Sequence, residues 1–297
     1  QWTDPAVEVV EVGNWLPRAT MAAALERFRP DVIHAHLRRS TRLLARIRPR
    51  AATVVTLHLT VNGPHFADMD GIICIARWQH DDIPPNYPGR VFDINLAYIP
   101  HRRLSAAEVQ SLRAEMGVQP HEFLVGGVGR LAHSKGFDTL IRAFRQASLK
   151  DAKLVIVGEG RERQRLERLC APGISLPGFR TNAKDYYQAF DLFVCPSRRE
   201  PLPYVLLEAL DAGVAIIAST ASGNAELLQS YPGNLFPIEN VDALAQLLRK
   251  QRAAPGPKRP QDLTPYALDN TVRQTEAVYR ELIERKRAAS SESAVAE

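Results

Sequence analysis

SRREPLPYVLLEALDAG, residues 197–213, places two glutamates eight residues apart, Glu200 and Glu208. The apolar run Leu192-Phe193-Val194-Cys195 just before it reads as a buried strand, and Glu208 lies within the helix that follows. A strand end beside a helix start is where open α/β sheets bind ligands, phosphorylated ones above all. Eight helical residues make a little over two turns, so both carboxylates can line one wall at different depths. With no other acids clustered nearby, they suit paired bonds to sugar or ribose hydroxyls better than a metal ion. Alone, the spacing also fits a charged residue ahead of a helix and a solvent-facing glutamate within it.

Three upstream stretches change that balance. FLVGGVGRLAHSKGFDTLI (Phe123 to Ile141) is an apolar strand, a glycine turn, Arg130, then Lys135-Gly136. KLVIVGEG (Lys153 to Gly160) and ISLPGFRTN (Ile174 to Asn182) follow. In this order, with residues 197–213, they resemble the nucleotide-sugar-binding domain of the retaining GT-B glycosyltransferases of family four. The shared pattern is Gly-Arg-Leu with a later Lys-Gly, then Gly-Glu-Gly, a Gly-Phe turn and the two spaced glutamates. The resemblance covers roughly residues 30 to 285 and rests on the ordered set, since no single motif is specific.

Fold class expected from the resemblance is α/β of the GT-B type: two Rossmann-like doubly wound parallel-sheet domains with a cleft between them. A length of 297 residues suits two domains with separate cores. Hydrophobic residues make up 45% and charged residues 24%, as in ordinary globular proteins. Cys74, Cys170 and Cys195 lack metal-ligand spacing, and Cys74 and Cys195 sit in strand-like runs. They read as small buried hydrophobes in a reducing compartment. No apolar run approaches the roughly 20 residues of a membrane span, and no signal peptide is visible.

Alternating strand and helix signals divide the chain into an N-terminal acceptor-side domain, 1–100, and a nucleotide-sugar domain, 101–268. Residues 269–286 are expected as a helix crossing back to the first domain, and 287–297 as a disordered tail. Val7 to Val12 alternates like a half-buried strand. Only 29 residues precede PDVIHAH (Pro30 to His36), whereas family members normally carry a strand and a glycine-rich acceptor loop upstream. The first domain is therefore expected to lack its first βα unit, with weak sugar transfer as the consequence.

Transfer from a nucleotide sugar must stabilise charge developing on the leaving diphosphate. No Asp-x-Asp motif stands in a plausible site, so no metal and no further cofactor is expected. Arg130 and Lys135 flank a strand-to-helix turn and can supply fixed charges, a planar fork and a point charge. Gly126, Gly127 and Gly129 are expected to let backbone approach the ligand. The resemblance implies that Glu208 binds the ribose diol and Glu200 the transferred sugar. It implies that Glu159, Gly178 and Phe179 border the base, and that His58 in Thr56-Leu57-His58 meets the sugar near its anomeric carbon. The catalytic set is then His58, Glu200, Arg130 and Lys135.

Here the sequence departs from the family's Glu-Gly-Phe-Gly, reading Glu200-Pro201-Leu202-Pro203. Two prolines remove two N–H donors, leaving Leu202, Tyr204 and Val205 for a phosphate cradle at the helix start. Ser222 reads as the N-cap of another helix. His34 and His36 have i,i+2 spacing without a third ligand, so they read as structural histidines.

Eight arginines fall between Arg27 and Arg50. They form either a solvated face or a patch for an anionic membrane or acceptor glycan. Nucleic acid is disfavoured, because no pattern of interleaved aromatic residues and no nucleic-acid motif accompanies them. The function expected is transfer of a hexose to a glycan or lipid-linked acceptor in lipopolysaccharide or polysaccharide assembly, in the cytoplasm or peripherally at the membrane's inner face. Three alternatives stay open. A nonhydrolysing nucleotide-sugar epimerase shares the architecture, and a noncatalytic donor-binding remnant would suit a shortened chain. Gly127-Val128-Gly129-Arg130-Leu131-Ala132 also fits the dinucleotide fingerprint of an NAD-dependent dehydrogenase.

Overall fold

The computed structural model describes every residue except Gln1, Trp2, Thr3, Pro5, Asn14, Asn62 and Glu297, and leaves aside the side chains at 290 and 292–296. The chain forms two compact units, residues 1–96 with 269–297, and residues 97–268.

In the first unit, helix α1 (Pro17–Phe28) precedes strand β1 (Val32–His36), helix α2 (Leu37–Ile47), and strands β2 (Ala52–Leu57), β3 (Gly71–Cys74) and β4 (Arg90–Asp93). The sheet is parallel with order β1-β2-β3-β4. Parallel strands covered on both faces need unbroken apolar runs, and every residue of β2 is buried. Val55 and Leu57 pack with Leu44 of α2, while Ala52 and Val54 pack against Val278 and Leu282. Those last two belong to the long terminal helix, labelled α10 below. Residues 7–12 pair with no strand among the described residues, and Val7, Val9 and Val10 are exposed. Alternation at this segment therefore does not make a strand, because a ladder needs a partner edge.

The second unit contains α3 (Ala106–Glu115), β5 (Phe123–Val128), α4 (Phe137–Ala147), β6 (Ala152–Val157), α5 (Arg163–Glu167), β7 (Ile174–Gly178), α6 (Ala183–Ala189), β8 (Leu192–Cys195), α7 (Tyr204–Ala212), β9 (Ala215–Ser219), α8 (Ser222–Ser230), β10 (Asn234–Phe236) and α9 (Val241–Ala253). Ser105 starts α3 through a capping box, its hydroxyl accepting from the Glu108 amide. The six-stranded parallel sheet has order β10-β9-β8-β5-β6-β7. From β5 the chain moves outward through β6 to β7, then crosses back to β8 on the other side of β5. The C-terminal ends of β5 and β8 thus flank a topological switch point, where such sheets open a crevice for ligand.

Helix α10 (Leu268–Ala296) packs on the first unit's sheet. It continues through Ala296, where the sequence suggested a disordered tail from residue 287. No glycine or proline interrupts RAASSESAVA, so composition offers nothing to end the helix there.

Candidate functional site

Gly136 decides how the loop after β5 meets the loop after β8. It has φ +66°, and a Cβ there would lie 2.0 Å from the Pro196 carbonyl oxygen. Only glycine tolerates both the left-handed backbone and that approach. Lys135 is thereby brought to Glu200, donating from Nζ to Oε2 at 2.6 Å, and the Ser197 hydroxyl donates to the same oxygen at 3.0 Å. Glu200 is 8% exposed. A carboxylate buried to that degree needs such partners, since an unpaired one would lose its hydration without replacement.

Arg198 fastens the two loops together and was not singled out from sequence. Its guanidinium donates to both Asp138 carboxylate oxygens, at 2.9 and 3.0 Å, and to the His133 carbonyl at 2.7 Å. A further bond runs to Glu239 at 2.6 Å. Burial alone would raise the Asp138 carboxyl. The bound Arg198, with Arg165 and Arg142 nearby, instead holds it below its ordinary range. The available signal was a pair of arginines before Glu200, which sequence alone cannot tell from a solvated run.

Gly223 and Asn224 were also missed. The Gly223 amide donates to the Glu200 carbonyl at 2.9 Å, and a Cβ on Gly223 would fall 2.3 Å from the Pro201 carbonyl oxygen. Asn224 is fully buried and donates to the carbonyl and hydroxyl of Ser219. Ser219 in turn donates to the Ser197 carbonyl at 2.5 Å. This chain of bonds underpins the Glu200 loop. Ser222 is the first residue of α8 rather than its cap, which is Ala221. The Ser-Gly-Asn sequence therefore serves the loop packed against it.

The remaining residues fall into three places. Gly129 leaves β5 with φ +153°, and the nearest atom to an added Cβ is Phe137 Cζ at 3.5 Å, so the strand end is open. Gly126 and Gly127 differ. Phe190 occupies the space of a Gly126 side chain, with Phe137 and Leu140 beside Gly127. These two glycines serve packing rather than ligand approach. Arg130 is exposed and has no ion pair among the described residues.

Glu159 and Gly178 lie together at the ends of β6 and β7, with Glu159 Oε2 3.6 Å from where a Gly178 Cβ would be. Glu159 accepts from Arg163 at 2.8 Å, and Phe179 is 68% exposed. Gly158 and Gly160 close against the backbone of Gly129 and Leu131, where a Cβ would meet carbonyl oxygens at 1.9 and 2.3 Å. That contact ties the β6 loop to the β5 loop.

At the start of α7, Leu202 is buried, Tyr204 exposed and Val205 half-buried. The Tyr204 amide donates to the Leu202 carbonyl at 3.1 Å, so it is not free for a phosphate as expected from sequence. Pro203 is the N-cap of α7 rather than its first helical residue. Burial raises the Glu208 carboxyl above its usual range, opposed by the Tyr187 hydroxyl and the Lys184 ammonium. Tyr187 is fully buried, and burial with the nearby Glu208 carboxylate raises its phenol well above the ordinary range.

In the first unit, His58 follows β2 and lines a cavity of about 250 Å³ with Arg38, Thr56 and Phe66. His58 Nε2 is 2.9 Å from His36 Nδ1. The His36 ring stacks on His34 with centroids 4.4 Å apart. Both His34 nitrogens are engaged, one with the Tyr279 hydroxyl at 2.6 Å and the other with Thr56 Oγ1 at 2.7 Å. Burial, with the neighbouring imidazoles, lowers His34 to about 4. His34 is thus a structural residue tying β1 to β2 and α10.

The dehydrogenase alternative loses its helix. A short 3-10 turn, His133–Lys135, follows the glycine fingerprint, and α4 begins only at Phe137. The fingerprint requires the helix N-terminus directly on the turn that cradles the pyrophosphate.

Residues 122–251 match the family Glycosyl transferases group 1. The lipopolysaccharide core biosynthesis glycosyltransferase LpsD of Rhizobium meliloti is 28% identical over 83% of this chain and 72% of that protein. A GDP-mannose-dependent monoacylated phosphatidylinositol monomannoside mannosyltransferase of Corynebacterium glutamicum is 33% identical over 46% of this chain and 39% of its own length. The chain spans 40% and 58% of two further relatives, a glycosyltransferase of Methanocaldococcus jannaschii and LpsE of R. meliloti. Among solved structures, a glycosyltransferase from Rickettsia africae superposes with TM-score 0.79 at 17% identity, over 93% of this chain and 84% of that one. Anabaena HepE with UDP and glucose superposes with TM-score 0.69 at 20% identity, over 95% and 82%. The chain thus folds as two parallel-sheet α/β domains of GT-B type, and its residues 122–251 form a glycosyl transferases group 1 domain.

Proposed function

We propose that this chain transfers a hexose from a nucleotide-diphosphate sugar to a glycan or lipid-linked acceptor with retention of configuration, in lipopolysaccharide or polysaccharide assembly. The observation that carries the reading is the meeting of Lys135 and Glu200 at the switch point between β5 and β8, with the exposed Arg130 two residues past the end of β5. Arg130 and Lys135 take the diphosphate. An ammonium has three donors, so Lys135 can keep Glu200 and still reach a phosphate oxygen. Their fixed charge meets the negative charge that grows on the leaving group, without a metal ion.

Glu200 accepts from the hydroxyls of the transferred sugar and Glu208 from the ribose diol. Gly129, Leu202 and Val205 border the phosphates, and Glu159, Gly178 and Phe179 border the base. His58 is assigned to the transferred sugar on the family resemblance. The exposed face of α2, with Arg38, Arg39, Arg42 and Arg46, is assigned to an anionic acceptor or membrane surface. Among the described residues no helix is long and apolar enough to cross a membrane.

Calorimetry of the chain against nucleoside diphosphates and their sugars, with and without a chelator, tests the donor assignment. Lys135→Ala and Arg130→Ala should each weaken diphosphate binding by about 1.5–3 kcal/mol, the worth of a charge-assisted bond. Binding that requires added magnesium or manganese and ignores both substitutions would reject it. Nuclear magnetic resonance of the product anomer tests retention. Donor binding without turnover would reduce the proposal to a donor-binding protein, and epimerisation of the donor would replace it.

A further inference from the structure

We propose that Cys74, His80 and Asp93 form a zinc-binding site in the first unit. One ligand atom from each residue lies within 4.8 Å of the others. None of the three is assigned to the donor, and the inference stands apart from the transfer reaction.

The register of two strands makes the cluster. Cys74 and Asp93 are paired residues at the ends of β3 and β4. Paired residues on adjacent parallel strands point to the same face, so thiol and carboxylate emerge side by side. The Ile94 amide donates to the Cys74 carbonyl at 3.0 Å and continues the pairing past the strand ends. His80 comes from the short helical turn Arg77–Asp82 that follows β3. Its neighbour Gln79 is fully buried and holds that turn. The Gln79 Oε1 accepts from the amides of Ile75 and Ala76, and its Nε2 donates to the carbonyls of Leu57 and Leu59 at 3.1 and 3.0 Å. With the turn fixed, His80 Nε2 lies 2.6 Å from Asp93 Oδ1.

The donor set selects the ion. A thiolate, an imidazole and a carboxylate suit borderline-soft zinc, whereas calcium and magnesium favour oxygen ligands alone. Cys74 is buried, and the His80 and Asp93 side chains are 45% and 53% exposed. The thiol thus forms the floor of the site, and solvent supplies the fourth ligand at its open side. The His80–Asp93 contact occupies the ligand positions before the ion enters, and by itself is a surface pair of little worth. On binding, Cys74 gives up its S–H proton to solvent. A neutral His80 exchanges its Nε2 proton for one at Nδ1 through solvent, which frees Nε2 as ligand.

The test uses the tag-free chain after chelator treatment, titrated with cobalt(II) and then zinc(II). One equivalent of cobalt should bind with a near-ultraviolet thiolate-to-metal charge-transfer band, and zinc should displace it. Cys74→Ser should abolish the band. His80→Gln and Asp93→Asn alter half-exposed side chains and should leave the circular dichroism unchanged while weakening zinc on the order of 10- to 100-fold. They keep the test decisive if Cys74→Ser fails to fold. Cys170→Ser should change nothing. Absence of the band, its persistence in Cys74→Ser, its loss in Cys170→Ser, or zinc affinity unmoved in both surface variants would overturn the proposal.

Discussion

Replacing Arg198 with methionine keeps the aliphatic stem and removes the guanidinium that ties the β5 and β8 loops. The magnitude follows from burial. Arg198 and Asp138 side chains are 12% and 5% exposed, and the contact is bidentate. Removing one partner of a buried pair costs about 3–5 kcal/mol, because the other charge is stranded. Asp138 would keep only Arg165, at 3.3 Å and 47% exposed, whose help is small. The low end, about 3 kcal/mol, is therefore expected. At about 1.4 kcal/mol per decade this raises the opening equilibrium of residues 97–268 roughly a hundredfold. Hydrogen exchange read by mass spectrometry over 123–128 and 192–195 measures it within that unit.

The double variant Arg198→Met with Asp138→Leu should lose less than the sum of the singles, since no buried charge is left unpaired. The pH dependence has a definite sign. Asp138 is held below its ordinary value of 3.8, so its contribution is whole above that value and disappears as pH falls through the folded value. The deficit of Arg198→Met should accordingly shrink in acid. A change in exchange below about threefold at neutral pH, or additive losses in the double variant, would refute the reasoning.

Gly136→Ala should destabilise the second unit by about 2–4 kcal/mol, from left-handed strain plus the overlap with the Pro196 carbonyl, as measured by chemical denaturation. It should also weaken diphosphate binding, and a variant with parental stability would contradict the close approach. Glu208→Gln should weaken nucleoside diphosphate and nucleotide sugar alike, whereas Glu200→Gln should weaken only the sugar-bearing ligand. Equal losses for both ligands at Glu200 in calorimetry would reject that division. The His34 ring should titrate at about 4 by nuclear magnetic resonance. Because the unfolded chain takes up this proton first, stability should fall as pH drops from 6.5 towards that value. An ordinary titration near 6.5 would remove the buried assignment.

The order of apolar runs and turns in the sequence was enough to imply two parallel α/β domains. A buried parallel strand needs a continuous apolar stretch, and LVIV or LFVC supplies one whatever surrounds it. Glu200, Lys135 and Gly136 could be singled out for a similar reason, since each lies in a short segment directly after an apolar strand. The roles of Arg198, Gly223 and Asn224 were not. Each acts on the loop of a neighbouring βα unit, directly or through Ser219, and strand order brings those loops together: β8 beside β5 for Arg198, and β8 beside β9 for Gly223 and Asn224. The same limit misassigned Gly126 and Gly127, whose missing side chains are filled by Phe190, Phe137 and Leu140. Cys74, His80 and Asp93 have no recognisable spacing because parallel register, not sequence distance, makes them neighbours. Local chemistry is written along the chain, but which loops touch depends on sheet order and register, and these are set by packing of the whole unit.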